Sequence, residues 1–195
     1  MPLSAPVSRQ HYHTRQIECR GFARDDGLWD IEAHMTDTKS YSFDNSWRGE
    51  IKPGDPIHEM WLRVTFSDAY EIIDIEAVTE KSPFEMCADI TSNFKQLIGL
   101  SVGPGWARKI RERVGGAHGC THLVELLTPV ATVAFQTIGP GLRRRDNSGD
   151  GDEPGAGLPT KNVHRPAILG TCHTWAVDSP VVKEFLPDYY VKPKI

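Results

Sequence analysis

Residues 58–66 read "HEMWLRVTF". In an extended chain successive side chains point to opposite faces, so His58, Met60, Leu62, Val64 and Phe66 share one face and Glu59, Trp61, Arg63 and Thr65 the other. That is a half-buried strand whose apolar face opens with an imidazole. Residues 29–35, "WDIEAHM", repeat the pattern: Trp29, Ile31, Ala33 and Met35 lie on one side, Asp30, Glu32 and His34 on the other. Turn signals at "RDDG", "DNSWRGEIKPGDP" and "SDAY" separate these segments from a strand beginning near Arg15 and from a following one, "EIIDIEAV". The first half therefore predicts an antiparallel sheet of about four strands.

The period changes in the second half. "EMCADITSNFKQLIGL" suits a helix, and a second helix follows Pro104, in which Trp106, Ile110 and Val114 recur at intervals of four before Gly115 and Gly116. A third runs from Thr121, its expected N-cap, to a stop at Gly139, kinked by Pro129. Residues 139–166, rich in Gly, Pro and charge, read as a flexible loop or lid, and residues 1–12 as a flexible N-terminus. Beyond "AILGTCHTWAVD", Ser179 and Pro180 open a short last helix. Strands followed by helices give an α+β class, with the sheet packed on helices in a single domain spanning 1–195.

At 195 residues, 39% hydrophobic, 25% charged and with a net charge of −4, the chain has the composition of an ordinary globular protein. The charge offers no basis for binding nucleic acid or an anionic membrane. No apolar run in the sequence reaches the roughly 18 residues that mark a membrane span, and the first residues lack a signal-peptide pattern, so the expectation is cytoplasmic. Cys19, Cys87, Cys120 and Cys172 form no CxxC pair, which argues for reduced thiols.

The reactive groups concentrate in residues 115–136, "GGAHGCTHLVELLTPVATVAFQ". On a helix His122, Glu125, Pro129, Thr132 and Gln136 follow at spacings of three and four, which is one stripe. From Thr121 to Ile138 Glu125 is the only charge, unlike an ordinary solvated face. The stripe is therefore expected to line a polar pocket, completed by His58 and by His173 of "GTCHTW". In this scheme His122 is a base oriented by Glu125, and His58 or His173 an acid. Gln136 and Arg63 position substrate oxygens, and Trp29, Trp61 and Trp175 stack on an aromatic ring. A regular strand would turn Arg63 to the opposite sheet face, where a surface ion pair is the simpler role. The alternative is a zinc or iron site built from Cys120, His122, Cys172 and His173, although sequence neighbours on a strand seldom chelate one ion.

The segments "HTRQIECRGFARDDGLWDIEAHMTDTK", "RGEIKPGDPIHEMWLRVT", "GCTHLVELL", "AFQT" and "TCHTW" resemble, in order, the bacterial family of domains of unknown function numbered 2889 (DUF2889). The resemblance covers His13 to about Tyr190. It implies proteins found beside genes for degrading aromatic compounds, and so a small-molecule enzyme rather than a structural protein. The resulting expectation is a cofactor-independent lyase that cleaves a carbon–carbon bond in a lignin-derived aromatic and releases a small aldehyde such as formaldehyde. A homodimer is a further possibility of this reading.

Overall fold

In the computed structural model, which describes residues 3–146, 166 and 168–193, strands β1 (His13–Ala23), β2 (Trp29–Lys39), β5 (Pro56–Phe66) and β6 (Ile72–Lys81) form one antiparallel sheet in the order β1-β2-β5-β6. Two short strands, β3 (Phe43–Asn45) and β4 (Gly49–Ile51), pair as a hairpin inserted between β2 and β5. A 3-10 helix (Glu85–Leu97) and helices α1 (Trp106–Val114), α2 (Thr121–Asp146) and α3 (Pro180–Phe185) follow. The class is α+β, with the sheet in the first half and the helices in the second, as the periodicity predicts. The segment predicted as a helix from Glu85 is the tighter 3-10 form.

The chain divides into two compact units, Met1–Leu142 and Arg143–Ile195. In the first, the alternation on β2 and β5 does what the pattern requires: Trp29, Ile31, Ala33, Met35, Met60, Leu62, Val64 and Phe66 are all buried. From the helices come Phe94, Leu97, Ile110, Val114, Leu123, Leu126, Leu127, Val130 and Ile138, which complete the same core. The Trp106 indole N–H donates to the Leu127 carbonyl and ties α1 to α2. The second unit is small: Leu169, Val182 and Leu186 bury one another beside Trp175, Tyr189 and Tyr190. Its helix α3 is capped as expected, with Ser179 Oγ accepting from the Val182 N–H at 3.1 Å.

The expected stop at Gly139 does not occur, because α2 runs on through Pro140 to Asp146. Tertiary packing outweighs the local signals here. Gly141 lies so close to Trp29 that an added Cβ would stand 2.2 Å from the indole. Residues 139–146 are thus helical rather than loop, and residues 147–165 of the expected lid lie outside the described residues. By length and composition α2 could cross a membrane, but its buried face is accounted for by the core it shares with the sheet. It is not apolar all round, since Thr121, Glu125, Thr128, Thr132 and Gln136 are exposed.

A second close approach sets the distance between β1 and α2. A Cβ on Gly21 would stand 1.9 Å from Thr137 Oγ1. Gly21→Ala is expected to cost roughly 1–3 kcal/mol by overpacking, and Thr137→Ala to recover part of that loss. Chemical denaturation of the two single variants and the double variant measures the coupling.

Candidate active site

Three strands place a row of polar side chains at one end of the sheet. Arg15 on β1 stands opposite Asp37 on β2, and Asp37 opposite His58 on β5. The alternation that buries Trp29, Ile31, Ala33 and Met35 carries Asp37 to the same face, where it is 1% exposed. A carboxylate taken out of water needs compensation. Arg15 supplies it with a two-pronged contact, Nε to Oδ1 at 2.8 Å and Nη2 to Oδ2 at 2.7 Å. His13 Nε2 lies 3.0 Å from Oδ1, and His58 Nδ1 lies 3.1 Å from Oδ2.

Helix α2 closes the row from above. It starts at Thr121, with the Val124 N–H donating to the Cys120 carbonyl at 2.9 Å, so Cys120 occupies the cap position expected for Thr121. The first turn then projects His122 over His58, their ring centroids 3.9 Å apart, with His122 Nε2 3.9 Å from Asp37 Oδ2. One turn on, the carboxylate of Glu125 pairs with Nη1 of Arg15. Cys120 Sγ sits 3.9 Å from both His122 Nδ1 and Met60 Sδ.

The sequence-predicted residues divide accordingly. His58, His122 and Glu125 come together, although Glu125 engages Arg15 rather than orienting His122. Gln136 does not join them: it lies 14 residues along α2, about 21 Å at the helical rise, and is exposed. Trp29 is at the far end of β2 and buried, its N–H donated to Asp68. Trp61 and Arg63 are on the opposite sheet face, Trp61 stacked on His34 at 3.6 Å and Arg63 paired with Glu32 and Glu76. These four are therefore removed from the substrate-binding set. His173 and Cys172 are exposed in the second unit, where Trp175 packs against the small core. Asp37, Arg15 and His13 were not anticipated. The signal for them is period two carried further, from Met35 to Asp37 and from His13 to Arg15.

Electrostatics set the resting protonation. Burial pushes the Asp37 carboxyl up, but the Arg15 guanidinium and the nearby His58 and His13 outweigh it and hold the group below its ordinary value. Burial lowers His58, and repulsion from His122 lowers it further against the opposing pull of Asp37. His122 is lowered by burial and by Arg15, against Asp37 and Glu125. Two neutral imidazoles above an ionised carboxylate are the outcome at neutral pH. With its Nδ1–H held by Asp37, His58 presents Nε2 as a free lone pair. The donor atoms of Asp37, His58 and His122 also lie within 4.8 Å of one another, close enough for a shared cation.

Residues 13–136 match the model of a family described as "Protein of unknown function (DUF2889)". The chain belongs to this family. No curated protein and no solved structure matches it. His13, Arg15, Asp37, His58, His122 and Glu125 all lie inside the matched span, and His173 lies beyond it.

All three lowered groups make stability fall on acidification. The unfolded histidines take up protons as pH drops through about 6.5 while the folded ones resist, and unfolded Asp37 does so as pH drops through about 3.8. The stability contributed is complete above these values and lost progressively as pH falls through the lower folded ones. Unfolding free energy is therefore expected to decline in two stages, and His58→Gln with His122→Gln to flatten chiefly the upper one. Urea denaturation between pH 2 and pH 8 measures it.

Proposed function

We propose that the chain is an enzyme that transfers protons on a small hydroxylated aromatic molecule without an organic cofactor, cleaving a carbon–carbon bond with release of a small aldehyde such as formaldehyde. The acid–base part rests on one observation: an imidazole oriented by a buried carboxylate, His58 on Asp37, with a second imidazole tilted over it at 3.9 Å between ring centroids. Both rings are half-buried, at 16% and 25% exposure, so they are sheltered yet open to a small molecule. The aromatic substrate and the lyase outcome draw on the family resemblance.

In this reading His58 Nε2 takes the proton of a substrate hydroxyl. The O–H electron pair becomes the aldehyde C=O, and the adjoining C–C bond breaks. Its electrons pass into the aromatic skeleton and expel an ether or hydroxyl oxygen, which receives a proton from protonated His122. Base and acid of this kind contribute typically 10² to 10⁴-fold. Burial leaves both rings neutral at neutral pH, so the step draws on the singly protonated fraction of the pair, which grows as pH falls, while charge repulsion between rings this close disfavours a second proton. The aromatic cluster of Tyr12, Tyr41 and Phe43, with centroids 5.5 Å and 6.2 Å apart, packs on Lys39, which stands across the sheet from His13, and is the surface this reading assigns to the aromatic ring. Tyr12 and Tyr41 are 57% and 40% exposed.

A second reading has a specific observation behind it. Two donors held about 2.1 Å from a tetrahedral zinc are about 3.4 Å apart. The Asp37 Oδ2 distances to His58 Nδ1 and His122 Nε2, 3.1 Å and 3.9 Å, bracket that figure. This Asp37, His58 and His122 set replaces the Cys120, His122, Cys172 and His173 set expected from sequence as the preferred zinc or iron ligands. Against it stands Arg15, which already donates to the Asp37 oxygen a cation would use.

Hydroxymethyl-bearing lignin-type aromatics are to be screened for formaldehyde release, with metal measured on natively purified protein. Turnover that falls about 100-fold or more in His58→Gln and in His122→Gln, with no stoichiometric metal, is the expected result. Full activity in both variants, or no aldehyde from any compound, would sink the lyase reading. Stoichiometric zinc or iron lost in those variants would transfer the site to the second.

A further inference from the structure

Strand β1 is an edge of the sheet, and among the described residues nothing pairs with its outer side. Its register with β2 runs unbroken over eleven residues, whereas the β2–β5 and β5–β6 pairings both shift. Just beyond the two ends of that register, the Ser40 N–H donates to the Tyr12 carbonyl at 3.3 Å and the Arg24 N–H to the Leu28 carbonyl at 2.9 Å. These are directly opposed pairs, so the even-numbered residues turn their N–H and C=O groups toward β2. The odd-numbered ones, His13 to Ala23, turn theirs outward. Proteins usually blunt such an edge with charged side chains, proline, a bulge or a short strand. The sequence of β1, "HTRQIECRGFA", has no proline and no bulge, its charges Glu18 and Arg20 are of opposite sign and pair with each other, and Ile17 and Phe22 are 41% and 43% exposed along it.

We propose that the outer edge of β1 binds β1 of a second copy of this chain, antiparallel about a two-fold axis at Cys19, so that one sheet runs through both copies. Charge selects the copy and the register. Outward-facing residues must pair with outward-facing residues, so the axis passes through a residue of β1. An axis at Glu18 sets that carboxylate against itself, and one at Arg20 sets two guanidinium groups together. An axis at Ile17 pairs Glu18 with Gln16 and leaves Arg20 facing Thr14. Only the axis at Cys19 sets Glu18 of each copy opposite Arg20 of the other, twice, on the closer kind of cross-strand pair. Within one chain these two groups already pair at 2.7 Å, and in the dimer the four charges alternate around a square. The same register lays Ile17 over Gly21, the position with no side chain.

Cys19 then reports the geometry. Directly opposed residues of its hydrogen-bonded type have Cα atoms about 5.5 Å apart, inside the range a disulfide spans. Burial raises the Cys19 thiol pKa, so oxidation is best run at alkaline pH.

The test uses the full chain. Light scattering is expected to show a dimer, and mild oxidation a disulfide-linked dimer that Cys19→Ser abolishes. Glu18→Arg and Arg20→Glu are each expected to weaken dimerisation roughly tenfold or more, and the double reversal to restore it. Ile17→Pro removes one outward N–H without touching the β2 ladder and is expected to yield a folded monomer. A monomer at all micromolar concentrations overturns the proposal. So does a dimer that neither charge reversal weakens and that oxidation does not link through Cys19. Should Ile17→Pro fail to fold, the charge swap still decides, since rescue by the double reversal needs the paired register.

Discussion

A carboxylate buried at the end of an apolar strand face is the constraint that organises this end of the molecule. Asp37 continues the row Trp29, Ile31, Ala33, Met35, so the alternation that builds the core also forces a charge into it. Leaving that charge uncompensated costs several kcal/mol, and the neighbouring strands are arranged to prevent it. Arg15 and His58 stand directly across from it on either side, and His13 reaches the same oxygen as the Arg15 Nε. Glu125 then partners the remaining reach of Arg15, tying the first turns of α2 to the edge strand. With both imidazoles neutral, Asp37, Arg15 and Glu125 sum to one negative charge, and one proton on the His58–His122 pair balances it. Burial works against that proton, so the pair takes it up only as pH falls below the ordinary imidazole range.

Much of the fold was legible because it rests on period two and period four. The apolar faces of β2 and β5, the stripe Trp106, Ile110, Val114 and the Ser179 cap all follow from spacing alone. The end of α2 was not, because Gly139 and Pro140 are local stop signals and the contact that overrides them, Gly141 against Trp29, joins residues 112 positions apart. The site was half legible. His58 and His122 stood out as imidazoles on otherwise apolar faces. Asp37 did not, since reading β2 only to Met35 stopped one alternation short of it. Gln136 was drawn in by helical stripe geometry, which identifies a shared face but says nothing of distance along the axis. Trp61 and Arg63 were assigned roles that the parity of their own strand argues against.

Strand β1 has two roles that sequence periodicity separates cleanly. Its odd-numbered side chains face the helix side and bring His13 and Arg15 to Asp37, while the backbone of those same residues points away from β2. Because a strand bonded on one side only opens locally more easily than one bonded on both, the edge strand β1 is less secured than β2 and β5. Yet it carries the guanidinium that keeps Asp37 ionised. Opening β1 therefore withdraws the main compensation for the buried carboxylate and releases Glu125 together with it. The cost of that exposure is itself a restraint on the strand. The Arg15–Glu125 ion pair at one end of β1 and the close packing of Gly21 on Thr137 toward the other hold the strand on α2 where the sheet edge alone does not. A partner along the outer edge would add to the same restraint, so assembly and the integrity of the site draw on one structural element.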